Sequence, residues 1–185
     1  MKRNLSSMRH ILLAISLGIF AIISPTATSS SQRRKTPHKA AAVLEPKSGS
    51  TVSGKAYFEE KNGGVEVVIE IKGAKPGPHG LHLHETPDCA AANASSAGGH
   101  FNPDGTAHGA PDTDPHHAGD LGNITVAANG ISKLKILLKG VTVTPGSHSV
   151  VGRALIVHAG PDDLKSQPSG NSGARVACGV VKATP

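Results

Sequence analysis

Eleven histidines in 185 residues are the most unusual feature of this chain, and their intervals suggest chemistry. Histidine is the commonest protein ligand for transition metals. His82 and His84 flank Leu83 in a segment with strand character. Residues i and i+2 of a strand share a face, which puts the two imidazoles about 7 Å apart on one side, close enough to grip one ion. Alone, that pair says little. His100, His108 and His117 then follow at spacings of eight and nine, Asp120 comes three residues after His117, and His158 closes the apolar run VVGRALIV. Together they form a candidate set of metal ligands.

The elements that must position these residues read as β-strands. In GVEVVIEIKG, Val65, Val67, Ile69 and Ile71 alternate with Glu66, Val68, Glu70 and Lys72, the period of a half-buried strand. Val52, Gly54, Ala56 and Phe58 alternate likewise, and Asn62-Gly63-Gly64 supplies the turn between the two runs. Further strands are expected near 40–45, 80–85, 121–126, 132–138, 150–158 and 176–182, with no convincing helix. The expectation is an all-β domain, an eight-stranded antiparallel sandwich or barrel. Two connections, 86–119 and 159–175, are too long for hairpins, and most of the histidines lie in or beside the first. A loop rich in Gly, Pro and Asp builds no core of its own, and a bound metal would order it.

Charge and composition exclude other classes. The chain has 19 Lys+Arg and 13 Asp+Glu, but seven of the basic residues precede residue 40, leaving 12 basic and 13 acidic beyond it. A body this close to neutral is not a nucleic-acid surface. With one Tyr, three Phe and no Trp it also lacks stacking platforms for single strands.

Lys2, Arg3 and Arg9, the apolar run 11–23, and the small residues Ala27 and Ser29 follow the order of a secretory signal peptide, residues 1–29. The apolar run would reach only about 20 Å as a helix, short of the roughly 30 Å hydrocarbon core, so cleavage is expected rather than membrane insertion. Residues 30–39 read as a disordered basic leader and 40–185 as the single domain, secreted or periplasmic. Export bears on Cys89 and Cys178, the only cysteines. An oxidising compartment favours their disulfide, which would close a loop of about 90 residues worth roughly 4.5 kcal/mol, two buried thiols being the alternative.

The segments GLHLHE (80–85), GGHFNP (98–103), AHGAP (107–111), HAGDLGN (117–123), VVGRALIVHAGPDDL (150–164) and GNSGARVACGVV (170–181) closely resemble the copper/zinc superoxide dismutase family. The resemblance runs from about residue 40 to 182 and implies a Greek-key β fold with two functional loops. It implies copper on His82, His84, His100 and His158, and zinc on His100, His108, His117 and Asp120, with the His100 imidazolate shared. Donor chemistry agrees: four imidazoles suit Cu(II), and three imidazoles with one carboxylate suit tetrahedral zinc. The resemblance further implies that Arg175, three residues before Cys178, attracts and orients the superoxide anion. It favours Asp162 as a link between His82 and His108, although Asp163 or a solvated loop carboxylate stays open at this point. His79 resembles a structural histidine of the family, while His38, His116 and His148 carry no ligand signal.

The implied activity is dismutation of superoxide to oxygen and hydrogen peroxide, with copper alternately reduced and oxidised and His100 as proton donor. A copper-binding or delivery protein without turnover is the alternative. Cys89 falls five residues after His84, a short spacing like that of bacterial members. A homodimer is compatible with the family but cannot be taken from the eukaryotic pattern, whose contact lies in that region. The loop from His158 to Arg175 is also shorter than in many eukaryotic members, leaving steering to rest mainly on Arg175. Asn93-Ala94-Ser95 and Asn123-Ile124-Thr125 are glycosylation sequons whose use depends on the secretory system.

Overall fold

Alternating burial builds the walls of this domain. The computed structural model describes residues 38–185; the expected signal peptide and the leader up to residue 37 lie outside the described residues. The strands are β1 (Lys39–Pro46), β2 (Ser53–Lys61), β3 (Gly64–Lys72), β4 (Gly77–His84), β5 (Asp120–Val126), β6 (Ile131–Leu138), β7 (Ala154–His158), β8 (Arg175–Val180) and β9 (Lys182–Thr184). Helix is confined, among the described residues, to one 3₁₀ turn at Ser95–Ala97, and no helix there is long and apolar enough to cross a membrane.

The strands pair antiparallel in the order β5-β4-β7-β8-β1-β2-β3-β6, with the short β9 added to β1. The two ends of that order, β5 and β6, are joined by a turn in which Ala127 N donates to Ile131 O and Gly130 N to Ala127 O. The sheet therefore curls into an almost closed barrel. Connections from β3 to β4 and from β6 to β7 cross the barrel ends in Greek-key fashion.

Inward residues of every long strand meet in one core. Ala40, Ala42 and Leu44 from β1, Phe58 from β2, Val65, Val67, Ile69 and Ile71 from β3, Leu81 and Leu83 from β4, and Leu155 and Val157 from β7 are all buried there. Each fully buried Val, Leu, Ile or Phe contributes about 1.5–3 kcal/mol. Outward faces of β3 and β6 carry paired charges instead, Lys133–Glu70 at 2.7 Å and Lys135–Glu66 at 2.9 Å.

Strands β4 and β7 are buried on both faces, because two loops cover their outer side. Leu81 and Leu83 face the core, so the period of two sends His82 and His84 outward under those loops. Ala154 and Ile156 of β7 also face outward and pack with Ala94, Ala97 and Cys178 in a second small cluster. Cys89 and Cys178 form a disulfide with Cα atoms 5.8 Å apart, tying the first long loop to β8.

The strand boundaries differ from expectation at β7. The apolar run 150–158 was expected to be all strand, but Val150–Arg153 turns, with Arg153 N donating to Val150 O and Gly152 at φ 78°. Val150 enters the core from that turn. The connection 139–153 is thus a third long one, and Glu60 fastens it. One carboxylate oxygen of Glu60 accepts from Val143 N (2.9 Å), Thr144 N (2.7 Å) and Thr144 Oγ1 (2.9 Å).

Candidate metal centre

His82 and His84 come from β4, His158 from the end of β7, and His100 from the first long loop, where it bridges to His84. In each of the four histidines, one ring nitrogen is committed to an acceptor, that of His100 being Nδ1 on Asp120 Oδ1 at 2.9 Å. His82 Nε2 lies 2.8 Å from Asp162 Oδ2, His84 Nδ1 3.0 Å from Gly98 O, and His158 Nδ1 3.1 Å from Gly173 O. An acceptor at one nitrogen holds the proton there and leaves the other nitrogen with a lone pair. Those remaining nitrogens, His82 Nδ1, His84 Nε2 and His158 Nε2, are buried without a hydrogen-bond partner, and so is His100 Nε2. One donor atom from each of the four residues lies within 4.8 Å of the others.

A second group gathers on Asp120, the first residue of β5, which pairs with His82 across the sheet. Its Oδ2 accepts from the backbone N–H groups of His117 (2.8 Å) and Gly109 (3.1 Å). Its Oδ1 is left to three rings: His100 Nδ1 at 2.9 Å, His108 Nδ1 at 3.0 Å and His117 Nδ1 at 3.3 Å. His100 thus presents Nε2 to the first group and Nδ1 to the second. His82 also lies close enough to His100, His108 and Asp120 to be grouped with them, but its Nε2 is committed to Asp162.

Asp162 joins the two groups from behind. Oδ2 receives His82 Nε2 and Oδ1 receives His108 Nε2 at 3.0 Å. Asn123 pins its backbone at both polar atoms: Asp162 N donates to Asn123 Oδ1 (2.8 Å) and Asn123 Nδ2 donates to Asp162 O (2.9 Å). The neighbouring Asp163 turns away and closes its own loop on Lys165, Ser166 and Asn171.

Electrostatics keep His82, His84, His117 and His158 neutral and Asp120 and Asp162 charged. Burial lowers the His84 pKa to about 2 and that of His158 to about 3, and lowers His82 and His117 as well. Burial alone would raise Asp120 and Asp162. The hydrogen bonds from His100 and from the backbone at His117 and Gly109 outweigh it for Asp120, and those from His82, Leu164 and His108 for Asp162, so both sit below the usual carboxylate range.

Arg175 opens β8 with its guanidinium bonded to two carbonyls of the first long loop, Nη1 to Ala94 O and Nη2 to Gly98 O, each at 2.7 Å. It is close enough for its charge to lower the pKa of both His84 and His158. Three further described histidines, His79, His116 and His148, are not among the donors. His79 is buried with its ring nitrogens 2.8 Å from His158 O and from Lys75 O. His116 sits against Thr113 O, and His148 pairs with Asp104 at 3.0 Å on the surface. Asn123, Gln167 and the carbonyls of Ala94 and Gly98 also shape the site; sequence reading passed over them, Asn123 being noted only as a sequon.

A buried polar atom without a partner costs about 1–3 kcal/mol. Five such nitrogens converge here, His108 Nδ1 being the fifth. Metal ions fit that arrangement: four imidazole nitrogens make a copper-type donor set, and three imidazoles with one carboxylate oxygen a zinc-type set.

Comparison with known proteins agrees. The family model for copper/zinc superoxide dismutase matches residues 52–181. A crystal structure described as that of the clock protein EA4 is 36% identical, with a TM-score of 0.72, over 80% of this chain and 95% of its own.

Proposed function

As a member of the copper/zinc superoxide dismutase family, whose proteins bind copper and zinc, this chain is one that we propose converts two superoxide anions and two protons into dioxygen and hydrogen peroxide. One observation carries the reading: four partnerless imidazole nitrogens converge beside an arginine whose charge reaches two of the same rings. His82, His84, His100 and His158 would hold copper, and His100, His108, His117 and Asp120 would hold zinc. Bound copper would supply one-electron exchange and zinc a fixed charge without redox change.

The chain's own residues supply the rest. Arg175, braced by two carbonyls, keeps a permanent positive charge at the site to draw in a small anion and orient it. His100 is held by Asp120 at Nδ1, which leaves Nε2 with the lone pair, the atom placed to take up a proton and pass it to the departing peroxide. Asp162 holds His82 and His108 in the tautomer that turns Nδ1 inward in both.

The disulfide supports an oxidising destination, so we also read residues 1–29 as an export signal and the mature chain as secreted or periplasmic. Sequencing the N-terminus of the natural protein tests that reading.

His158→Ala tests the activity. It removes one nitrogen from the copper set and none from the zinc set. Superoxide consumption should be nearly abolished while zinc stays bound; undiminished consumption in this variant would contradict the reading.

A further inference from the structure

We propose that Gln167 is a positioning residue for His108, acting on its backbone rather than its ring; this rests on the reading of His108 as a zinc ligand. His108 lies in a stretch, 105–110, without regular secondary structure, so no strand partner fixes its main chain. The Gln167 side-chain amide takes that place. Gln167 Oε1 accepts from His108 N at 2.8 Å, and Gln167 Nε2 donates to His108 O at 2.9 Å and to Lys165 O at 3.2 Å in its own loop. One primary amide therefore satisfies both polar atoms of the residue, as a neighbouring strand would.

The ring of the same histidine is gripped independently. His108 Nε2 lies 3.0 Å from Asp162 Oδ1, while Nδ1, 3.0 Å from Asp120 Oδ1, makes no hydrogen bond and stays free for a metal. Asp162 and Gln167 both belong to the loop between β7 and β8, so one loop fixes this residue at ring and at main chain. Two anchors determine a ligand direction that neither could alone. Asp162 sets which nitrogen faces inward, and Gln167 sets where the Cα from which the ring hangs must lie. None of the copper-side rings is held by Gln167: His82 rests on Asp162, His84 on Gly98 O and His158 on Gly173 O. Loss of the Gln167 clamp should therefore be felt by zinc and not by copper.

Metal titration of the full chain tests this, with Gln167→Ala removing the clamp and Gln167→Glu keeping shape and the acceptor while losing the donor to His108 O. Zinc affinity is measured by competition with a chromophoric chelator, and cobalt(II) absorption reports the tetrahedral site. Copper affinity and thermal unfolding of the metal-free protein are followed in parallel. Zinc affinity should fall roughly 10–100-fold in Gln167→Ala, with a smaller loss in Gln167→Glu. The cobalt bands should weaken and copper affinity should hold. Unchanged zinc affinity and cobalt bands in Gln167→Ala would overturn the proposal, as would equal losses of zinc and copper. A wild-type chain that takes up neither zinc nor cobalt would instead remove the ligand assignment on which the proposal stands.

Discussion

His84 and Arg175 share one acceptor: the carbonyl oxygen of Gly98 lies 3.0 Å from His84 Nδ1 and 2.7 Å from Arg175 Nη2. A single peptide group thus locks a candidate copper ligand and the arginine proposed to attract the anion to a common point. Gly98 adopts φ 74°, a backbone conformation that favours glycine, and an added Cβ there would lie 2.9 Å from Glu85 Cγ.

Removing the charge should slow capture without emptying the site. Arg175→Ala is expected to lower superoxide turnover roughly tenfold or more and to flatten its dependence on ionic strength. Arg175→Lys should restore the salt dependence but only part of the rate, since an ammonium lacks the planar fork that holds both carbonyls. Stopped-flow turnover across a salt series, with copper content measured alongside, checks both.

Cys89 and Cys178 stabilise the fold and brace the site through the same loop. Reduction should cost about 2–5 kcal/mol, read from the urea midpoint. Because Ala94 and Gly98 lie in the loop that the disulfide ties down, the reduced protein should also lose part of its turnover under conditions where it stays folded.

Glu60 should give a pH-dependent contribution to stability. Hydrogen bonds from Thr144 and Val143 outweigh partial burial and hold its carboxyl below its ordinary value of 4.5. A carboxylate depressed in the folded state stabilises above its unfolded pKa and loses that contribution as pH falls through its folded pKa. The gap in melting temperature between the wild type and Glu60→Gln should be full above about pH 5 and shrink on acidification. A gap that grows in acid would contradict the role assigned to Glu60 in fastening residues 139–153.

Gly170→Ala should weaken the zinc side. Gly170 sits at φ 65°, and an added Cβ would overlap Asp162 Oδ1 and lie 2.7 Å from His108 Nε2. Separating those two groups removes the outer support of His108, so zinc affinity should drop by roughly 10–100-fold. Equilibrium dialysis of the variant against the wild type checks this.

Sequence reached the strands and the donor residues for different reasons. The barrel walls follow from alternation, as in Val65–Ile71, because one buried face per strand imposes a period of two. His82 and His84 share a face by the same rule, and the structure gathers His100, His108, His117, Asp120 and His158 around them. The missed features are those with no side-chain signature. Ala94 and Gly98 act through carbonyl oxygens, which every residue possesses. Gln167 in its loop and Asn123 in β5 look like ordinary amides until the chain brings them to His108 and Asp162, 59 and 39 residues away. Apolar Val150 and Val151 imitated a strand because a core-filling turn and a buried strand draw on the same residue types.

The central claim is turnover of superoxide at the histidine cluster. Its most direct test is superoxide decay after a radiolytic pulse, with a strong chelator present, for chain loaded with copper and zinc and for chain loaded with zinc alone. Rapid catalytic decay with both metals, resistant to chelator and absent with zinc alone, is the predicted result. Full occupancy of both metals without faster decay would contradict the account and leave a copper-handling relative of the family in its place.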